Sequence, residues 1–361
     1  MRLALTEAKR GIGRTSPNPC VGAVVVKNGK VVGKGYHKMA GTPHAEVHAL
    51  RYAGSKARNS TLYVTLEPCN HTGRTPPCTE AILQAGVKRT VIGMPDPNPQ
   101  VSGGGGEYLA SRGVSVTTGI LQEKCREINL PFIKHTTTGL PWVILKAGMS
   151  LDGRIAARQG RSTRITNEQS NRQVHRLRDR VDAMLVGIET ALVDDPSLTT
   201  RLPGRKKGRD PLRVILDSGL RLSPTARLLQ QESDAQTWIF CSPDPSKKKR
   251  TRLEEAGAVI KSVPLTAAGS LDPKAVLSEL GRSQVTSLLV EGGSRVHGTF
   301  LQDGLVDQVL LFIAPMILGE QGVPLASFAG PAGVKNMPGL NIFRTRRYGT
   351  DLLIEGRFDP S

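Results

Sequence analysis

Apolar positions along this chain recur in two rhythms, short strand-like runs and helical spacings, and the two alternate from end to end. Charged residues threaded through the apolar positions of residues 1–14 predict an amphipathic helix. Residues 20–35 predict a strand pair, with an apolar run at 21–26, a turn at Asn28-Gly29 and a second run from Val31-Val32. Residues 44–52 predict a helix entered from Thr42-Pro43, and 61–66 a strand that stops at Glu67-Pro68-Cys69. A short helix at 79–85, a strand at 89–93 closed by Pro95-Asp96-Pro97, a helix near Tyr108 and a strand at 114–118 follow. Gly103 to Gly106 read as a flexible loop.

Residues 121–134 predict one helix, Thr136-Thr137-Thr138-Gly139 a break, and 142–146 a new strand after Pro141. The domain boundary is therefore expected near 140, giving domains 1–140 and 141–361. The second half repeats the alternation: a long polar helix over 167–182, strands at 183–186, 212–216, 237–240, 287–290, 309–314 and 352–357, and a helix over 295–302. Helices interleaved with short strands predict an α/β fold in both halves.

The composition fits this picture. At 361 residues the chain exceeds what one core usually organises. With 38% hydrophobic and 22% charged residues it has the makeup of a folded globular protein, and with 4% aromatics its cores must be aliphatic. No apolar stretch is long enough for a bilayer, and the first residues lack a signal-peptide core, so a cytoplasmic protein with no membrane partner is expected. Five scattered cysteines suit a metal site or free thiols better than a disulfide scaffold. The net charge of +18 raises nucleic-acid binding as a reading. The charge is spread, however: 18 Lys+Arg against 8 Asp+Glu in residues 1–142, and 31 against 23 in 143–361. The runs Arg205-Lys206-Lys207 and Lys247 to Arg250 read as solvated loop charge, and the overall bias suits small anionic substrates.

The strongest chemical signal is His44-Ala45-Glu46 followed by Pro68-Cys69 and Cys78. One His and two Cys supply three ligands to a single Zn2+ and leave a fourth position for water, the arrangement of a catalytic zinc. The metal makes hydroxide available near neutral pH, and Glu46, beside the ligand His44, is placed to carry protons. This ligand set with a nearby non-ligating Glu is the signature of nucleobase deaminases. The string His44-Ala45-Glu46-Val47-His48 is not a zinc-protease helix, because that motif needs Glu directly after the first His. A structural zinc would need a fourth ligand, for which His71 is the nearby candidate. Eight residues separate the cysteines where typical nucleobase deaminases have two. The insertion, 70–77, carries His71 and Arg74 and reads either as a substrate loop or as a rigid spacer set by its prolines.

These strings, with 18–25 (Asn-Pro-Cys-Val-Gly-Ala-Val-Val), Thr65-Leu66-Glu67-Pro68-Cys69 and Thr75-Pro76-Pro77-Cys78, closely resemble the bifunctional riboflavin-biosynthesis deaminase/reductase family. The resemblance implies a cytidine-deaminase-like three-layer N-terminal domain. It implies hydrolytic loss of the 2-amino group of 2,5-diamino-6-(5-phosphoribosylamino)pyrimidin-4(3H)-one, with Asn18, His37, His71 and Arg74 on the substrate. Arg74 stands where some relatives have Lys, which keeps the charge.

In the second half, Val290-Glu291-Gly292-Gly293-Ser294 follows an apolar strand and precedes a helix. Such a turn brings backbone N–H groups close to a phosphate, and a plain tight turn reads equally well. Asp194-Asp195-Pro196 reads as an exposed loop pair. The resemblance extends to 146–153, to Asp194-Asp195-Pro196-Ser197-Leu198-Thr199 and to Val290-Glu291-Gly292-Gly293, and so covers nearly the whole chain. It implies a dihydrofolate-reductase-like domain that reduces the ribosyl group to ribityl with NADPH, hydride reaching the sugar C1′. By carry-over, Gly148, Thr190, Asp194, Ser218 and the stretch Gly293, Ser294, Arg295, Val296, His297, Gly298 and Thr299 line the cofactor site. Arg164 joins them where relatives often carry Trp. Ser162, Arg178, Leu198, Arg201 and Glu291 line the substrate site, with Arg178 and Arg201 suited to its phosphate. Lys146, Asp194 and Glu291 are the polar groups nearest the sugar.

The resemblance also implies a homo-oligomer assembled through the reductase half. Two other readings fit the sequence less well. A nucleic-acid deaminase conflicts with the cysteine spacing and the second domain. A basic binding module with a structural zinc conflicts with the even charge, so no nucleic-acid partner is expected.

Overall fold

The computed structural model describes residues 1–70, 76–98, 104–202, 204, 208–330 and 339–358. The chain divides into two compact units, Met1–Leu140 and Pro141–Ser361.

The first unit runs α1 (Arg2–Ala8), β1 (Gly22–Lys27), β2 (Lys30–Tyr36), α2 (Ala45–Ala53), β3 (Thr61–Leu66), α3 (Cys78–Gln84), β4 (Arg89–Met94), α4 (Gly105–Ser111), β5 (Ser115–Thr117), α5 (Gln122–Glu127) and α6 (Leu130–Thr138). Its sheet has the order β2-β1-β3-β4-β5, antiparallel through β3 and parallel beyond. Glycines set how closely the helices approach. A methyl on Gly22 would overlap the Ala4 carbonyl of α1, and one on Gly35 would overlap the Ala45 carbonyl of α2. Ala23 pairs with Gly35, so Gly22 faces the opposite side and α1 and α2 lie on opposite faces of the sheet. Cys125 of α5 crowds Gly93, which shares the α1 face through Thr65 and Gly22. The result is three layers around an aliphatic core that includes Ala23, Val25, Leu62, Val64 and Ile92.

The second unit runs β6 (Trp142–Ser150), β7 (Arg154–Ala156), α7 (Glu168–Arg178), β8 (Ala183–Gly187), α8 (Ile188–Asp194), β9 (Leu212–Leu216), β10 (Thr237–Cys241), α9 (Lys247–Glu255), β11 (Ala258–Ser262), α10 (Pro273–Arg282), β12 (Ser287–Gly292), α11 (Ser294–Gln302), β13 (Gln308–Ala314), β14 (Val323–Pro324), β15 (Leu340–Tyr348) and β16 (Asp351–Phe358). Nine strands form one sheet in the order β11-β10-β9-β8-β12-β6-β13-β16-β15. The strands from β11 through β13 are parallel, and β16 and β15 add on antiparallel. β8 is buried at every position, as a central parallel strand covered on both faces must be.

Four local expectations change. The helix expected over 121–134 is two helices that meet at Ile128-Asn129, because Pro131 lacks the N–H that would continue the first one. Thr136 to Thr138 belong to α6, and the stop is Gly139 in the left-handed region at φ 73°. Gly105 and Gly106 open a helix and are buried; Gly103 lies outside the described residues. Lys247 to Arg250 form the first turn of α9, whereas residues 205–207 lie outside the described residues. Among the described residues, no helix is long and apolar enough to cross a membrane.

Candidate active sites

His44 is the N-cap residue of α2, Glu46 lies in that helix's first turn, and Cys78 begins α3. Cys69 sits in the loop after β3. The close seating of α2 on Gly33 and Gly35 carries His44 to the end of the sheet where β3 delivers Cys69. One donor atom from each of His44, Cys69 and Cys78 lies within 4.8 Å of the others. His44 Nδ1 is 3.2 Å from Cys78 Sγ and 3.5 Å from Cys69 Sγ. The Cys78 backbone N–H donates to Cys69 Sγ at 3.3 Å. The hydrogen-bonded Cys78 thiol, with His44 and against the cost of burial, holds Cys69 well below the ordinary thiol range. The bond to Cys69 in turn raises His44.

Glu46 is 3% exposed, and its Oε2 is buried with no hydrogen-bond partner among the described residues. Burial pushes its carboxyl up to about 7, with the positive His44 pulling the other way. One imidazole nitrogen, two sulfurs and an unpartnered buried carboxylate oxygen beside them suit a catalytic Zn2+. Among the described residues no fourth side chain joins the group.

His37 stands edge-on to His44, with ring centroids 5.4 Å apart. Its Nδ1–H donates to the Pro43 carbonyl at 3.3 Å, which leaves Nε2 to accept from the Asn18 amide at 3.1 Å. Burial lowers His37, in keeping with a neutral ring. The fold thus brings together His44, Glu46, Cys69, Cys78, Asn18 and His37. His71 and Arg74 lie outside the described residues.

In the second unit the parallel register of β6 and β12 pairs Leu145 with Val290 and so sets Lys146 beside Glu291. The Arg178 guanidinium donates from Nε and Nη2 to the two oxygens of Glu291, at 2.7 and 2.9 Å, and from Nη1 to the Thr199 carbonyl at 3.2 Å. Lys146 Nζ is 3.7 Å from Glu291 Oε2. Burial alone would raise Glu291, but Arg178 and Lys146 outweigh it and hold the carboxyl at about 2. Burial lowers Lys146. Three of the five N–H groups of Arg178 are thus engaged within the protein.

Leu198 is buried at φ 51°, and Arg201 follows with its backbone N–H on His175 Nδ1 at 3.2 Å; Arg201 itself is exposed. A methyl on Gly293, itself at φ 88°, would lie 3.3 Å from Thr190 Oγ1, and one on Gly187 2.8 Å from Val296. Thr190, Gly293 and Val296 therefore share the turn into α11. In that helix, His297 is buried with its Nδ1–H on the Leu325 carbonyl at 3.0 Å, Gly298 packs under Ser327, and Thr299 Oγ1 donates to the Arg295 carbonyl. The Ser294 Oγ and His297 Nε2 atoms are buried without a hydrogen-bond partner among the described residues. Gly148 packs under Thr166, and a methyl there would lie 2.9 Å from Thr166 Cγ2. Asp194 is exposed at the end of α8, and Ser218 is exposed with its carbonyl accepting from Ser242. Ser162 and Arg164 are exposed in the segment before α7.

Three contributors were not read from the sequence. Glu67 accepts from the Gly106 N–H at 2.9 Å and the Asp96 N–H at 3.3 Å, and so fixes the loop that carries Cys69. Its position directly before Pro68-Cys69 was the available signal. His175 lies one helical turn before Arg178. Asn129 had no local signal, because Cys20, to which its side chain makes two hydrogen bonds, is 109 residues away.

Residues 141–354 match the RibD C-terminal domain, and residues 1–94 match the cytidine and deoxycytidylate deaminase zinc-binding region. Over 98% of its length the chain is 40% identical to the riboflavin biosynthesis protein RibD of Escherichia coli (strain K12), of which the match covers 97%. It is 44% identical over 89% of its length to the same protein of Aquifex aeolicus (strain VF5), covering 87% of it. Among solved structures, Acinetobacter baumannii RibD superposes with a TM-score of 0.89 at 34% identity, over 99% of this chain and 98% of that one. The Thermotoga maritima diaminohydroxyphosphoribosylaminopyrimidine deaminase/5-amino-6-(5-phosphoribosylamino)uracil reductase superposes with a TM-score of 0.85 at 36% identity, over 99% and 97%.

Proposed function

Because the chain belongs to the RibD family, the bifunctional deaminase/reductases of riboflavin biosynthesis, we propose that residues 1–140 deaminate 2,5-diamino-6-(5-phosphoribosylamino)pyrimidin-4(3H)-one and that residues 141–361 then reduce the ribosyl side chain to ribityl with NADPH. The observation that carries this reading is the convergence of His44, Cys69 and Cys78 beside the buried Glu46, whose Oε2 has no hydrogen-bond partner among the described residues.

Held by those three side chains, one Zn2+ supplies the Lewis acidity that makes hydroxide available from water near neutral pH. Glu46 handles the protons. A carboxyl raised to about 7 by burial can take a proton during attack on the ring carbon and release it to the departing amine. His37 orients Asn18, whose Oδ1 then faces the pyrimidine N–H groups, and His71 and Arg74 complete the substrate loop.

In the reductase half, Ser162, Arg178, Leu198, Arg201, Lys146 and Glu291 take the substrate, with the exposed Arg201 directed to its phosphate. NADPH supplies the reducing equivalent, held by Gly148, Arg164, Thr190, Asp194, Ser218 and the Gly293 to Thr299 turn. Copies of the chain assemble through the reductase half into a homo-oligomer. β15, the last strand of the sheet, is exposed at seven of its nine positions, including Ile342 and Phe343, which supports that arrangement. None of the five cysteines is in a disulfide, which supports work in the reducing cytoplasm.

Glu46→Gln in the zinc-loaded full chain tests the reading. Ammonia release should fall by about 10²–10⁴-fold. NADPH oxidation on the deaminated substrate and zinc content should stay at wild-type values. Undiminished ammonia release would remove Glu46 from its role.

A further inference from the structure

The junction between α5 and α6 holds an asparagine whose side chain works at a distance. Asn129 is the N-cap residue of α6, a position where asparagine ordinarily accepts from its own helix's N–H groups. Here it makes no such cap bond. Its Oδ1 accepts from the Cys20 N–H at 2.8 Å, and its Nδ2 donates to the Cys20 carbonyl at 3.1 Å and to the Cys125 carbonyl at 3.3 Å. The side chain thus pairs with both backbone groups of Cys20, as a neighbouring strand would. Asn129 is 1% exposed, so water does not compete for these bonds.

Cys20 lies two residues after Asn18. The Asn18 N–H donates to the Thr15 carbonyl at 2.8 Å, and Thr15 Oγ1 meets Cys20 Sγ at 3.3 Å. On the other side of Cys20, the Gly22 N–H donates to Thr65 Oγ1 at 3.1 Å, and the Val21 carbonyl accepts from the His37 N–H at 2.9 Å. Asn129 is therefore one anchor, the one on the Cys20 backbone, for the segment that sets Asn18 against His37. The break between α5 and α6 frees it for that task, since the residue lies at the break and not within a continuous helix.

We propose that Asn129 is a positioning residue of the deaminase half, acting through the Cys20 backbone to hold Asn18 where the pyrimidine binds. The inference rests on the deaminase reading above. It assigns Asn129 no contact with substrate and no part in proton transfer.

The test uses the zinc-loaded full chain with Asn129→Ala, Asn129→Asp, Asn18→Ala and the Asn18→Ala/Asn129→Ala pair. Asn129→Ala should raise the deaminase KM by about tenfold while kcat stays within about twofold, the scale of losing aligned buried hydrogen bonds. Asn129→Asp keeps an acceptor for the Cys20 N–H but sets a buried carboxylate oxygen against the Cys20 and Cys125 carbonyls, and should raise KM at least as far as Ala does. Zinc content and reductase kinetics should not change. Because Asn129 acts through Asn18, its substitution should add little in the Asn18→Ala background. Additive effects in the pair, an unchanged KM, or a joint fall of kcat and zinc content would overturn the proposal. Absence of ammonia release from the wild-type chain would instead overturn the deaminase reading itself.

Discussion

Arg178 grips both carboxylate oxygens of Glu291, Nε to Oε1 at 2.7 Å and Nη2 to Oε2 at 2.9 Å, with Lys146 on the same carboxylate at 3.7 Å. A planar guanidinium against a planar carboxylate fixes Glu291 in one orientation at the strand end where β12 meets β6. Arg178→Met would leave a buried carboxylate with Lys146 alone. The expected cost is about 3–5 kcal/mol of stability in the second unit. Both tryptophans, Trp142 and Trp238, lie in that unit, so their fluorescence during urea unfolding reports it selectively. An unchanged midpoint would mean that the pair contributes nothing to the fold.

Acid should weaken the second unit in two stages. His175 and His297 are both lowered from 6.5 to about 4, chiefly by burial, with Arg178 and Arg201 adding to the effect at His175. Between those values the unfolded chain binds protons that the folded one does not, so stability should drop as pH falls from about 6.5 to about 4. Glu291 is depressed from 4.5 to about 2, so its contribution is present above 4.5 and is lost as pH falls toward 2. His297→Asn keeps a donor for the Leu325 carbonyl and cannot titrate. The urea midpoint of this variant, followed by tryptophan fluorescence, should depend less on pH between 6.5 and 4 than that of the wild type. An identical slope would rule His297 out as a source.

Removing the metal should separate the two activities. The proposed ligands His44, Cys69 and Cys78 all belong to the first unit. Chelation should therefore abolish ammonia release and leave NADPH oxidation on deaminated substrate intact, and stoichiometric Zn2+ should restore the first activity. Cys69→Ser should mimic chelation without rescue. Loss of both activities on chelation would place a metal requirement in the reductase half that its residues do not suggest.

Period and turn chemistry made most elements legible in the sequence. Thr61–Leu66 and Leu212–Leu216 form strands over the residues expected, and the Asn28-Gly29 turn joins β1 to β2. The convergence of His44, Cys69 and Cys78 was legible because these residue types are rare and chemically specific. Non-local pairings could not be read this way. Nothing near Asn129 announces Cys20, and nothing in the composition of β15, with charges at Arg344, Arg346 and Arg347, sets it apart from a loop until β16 pairs with it. Lys247 to Arg250 read as loop charge because the run sits in a Pro- and Gly-bounded segment; α9 forms there nonetheless, against the unfavourable field of four cations at its start, with Leu253 buried. The stretch containing Gly105 misled for the opposite reason. In the sequence a glycine run signals conformational freedom, whereas here it marks close packing.

Gly105 gives the sharpest test of that last point. A methyl group there would overlap the carbonyl oxygen of Pro68, the residue before Cys69, and would lie 3.3 Å from Thr79 Cγ2. A backbone carbonyl cannot swing aside as a side-chain tip can, so Gly105→Ala must shift either α4 or the loop holding Cys69. Overpacking of this kind costs about 1–3 kcal/mol, and Gly106, which bonds Glu67, would move with it. Zinc affinity, measured by competition with a chromophoric chelator, should fall by about tenfold or more, the equivalent of about 1.4 kcal/mol. Gly113→Ala is the control. Gly113 sits at φ 84° with open space around it, so alanine there strains the backbone without touching the metal loop. Both variants should unfold more readily, but only Gly105→Ala should bind zinc more weakly. Equal zinc affinity in the two would show that the Cys69 loop does not depend on the glycine contact.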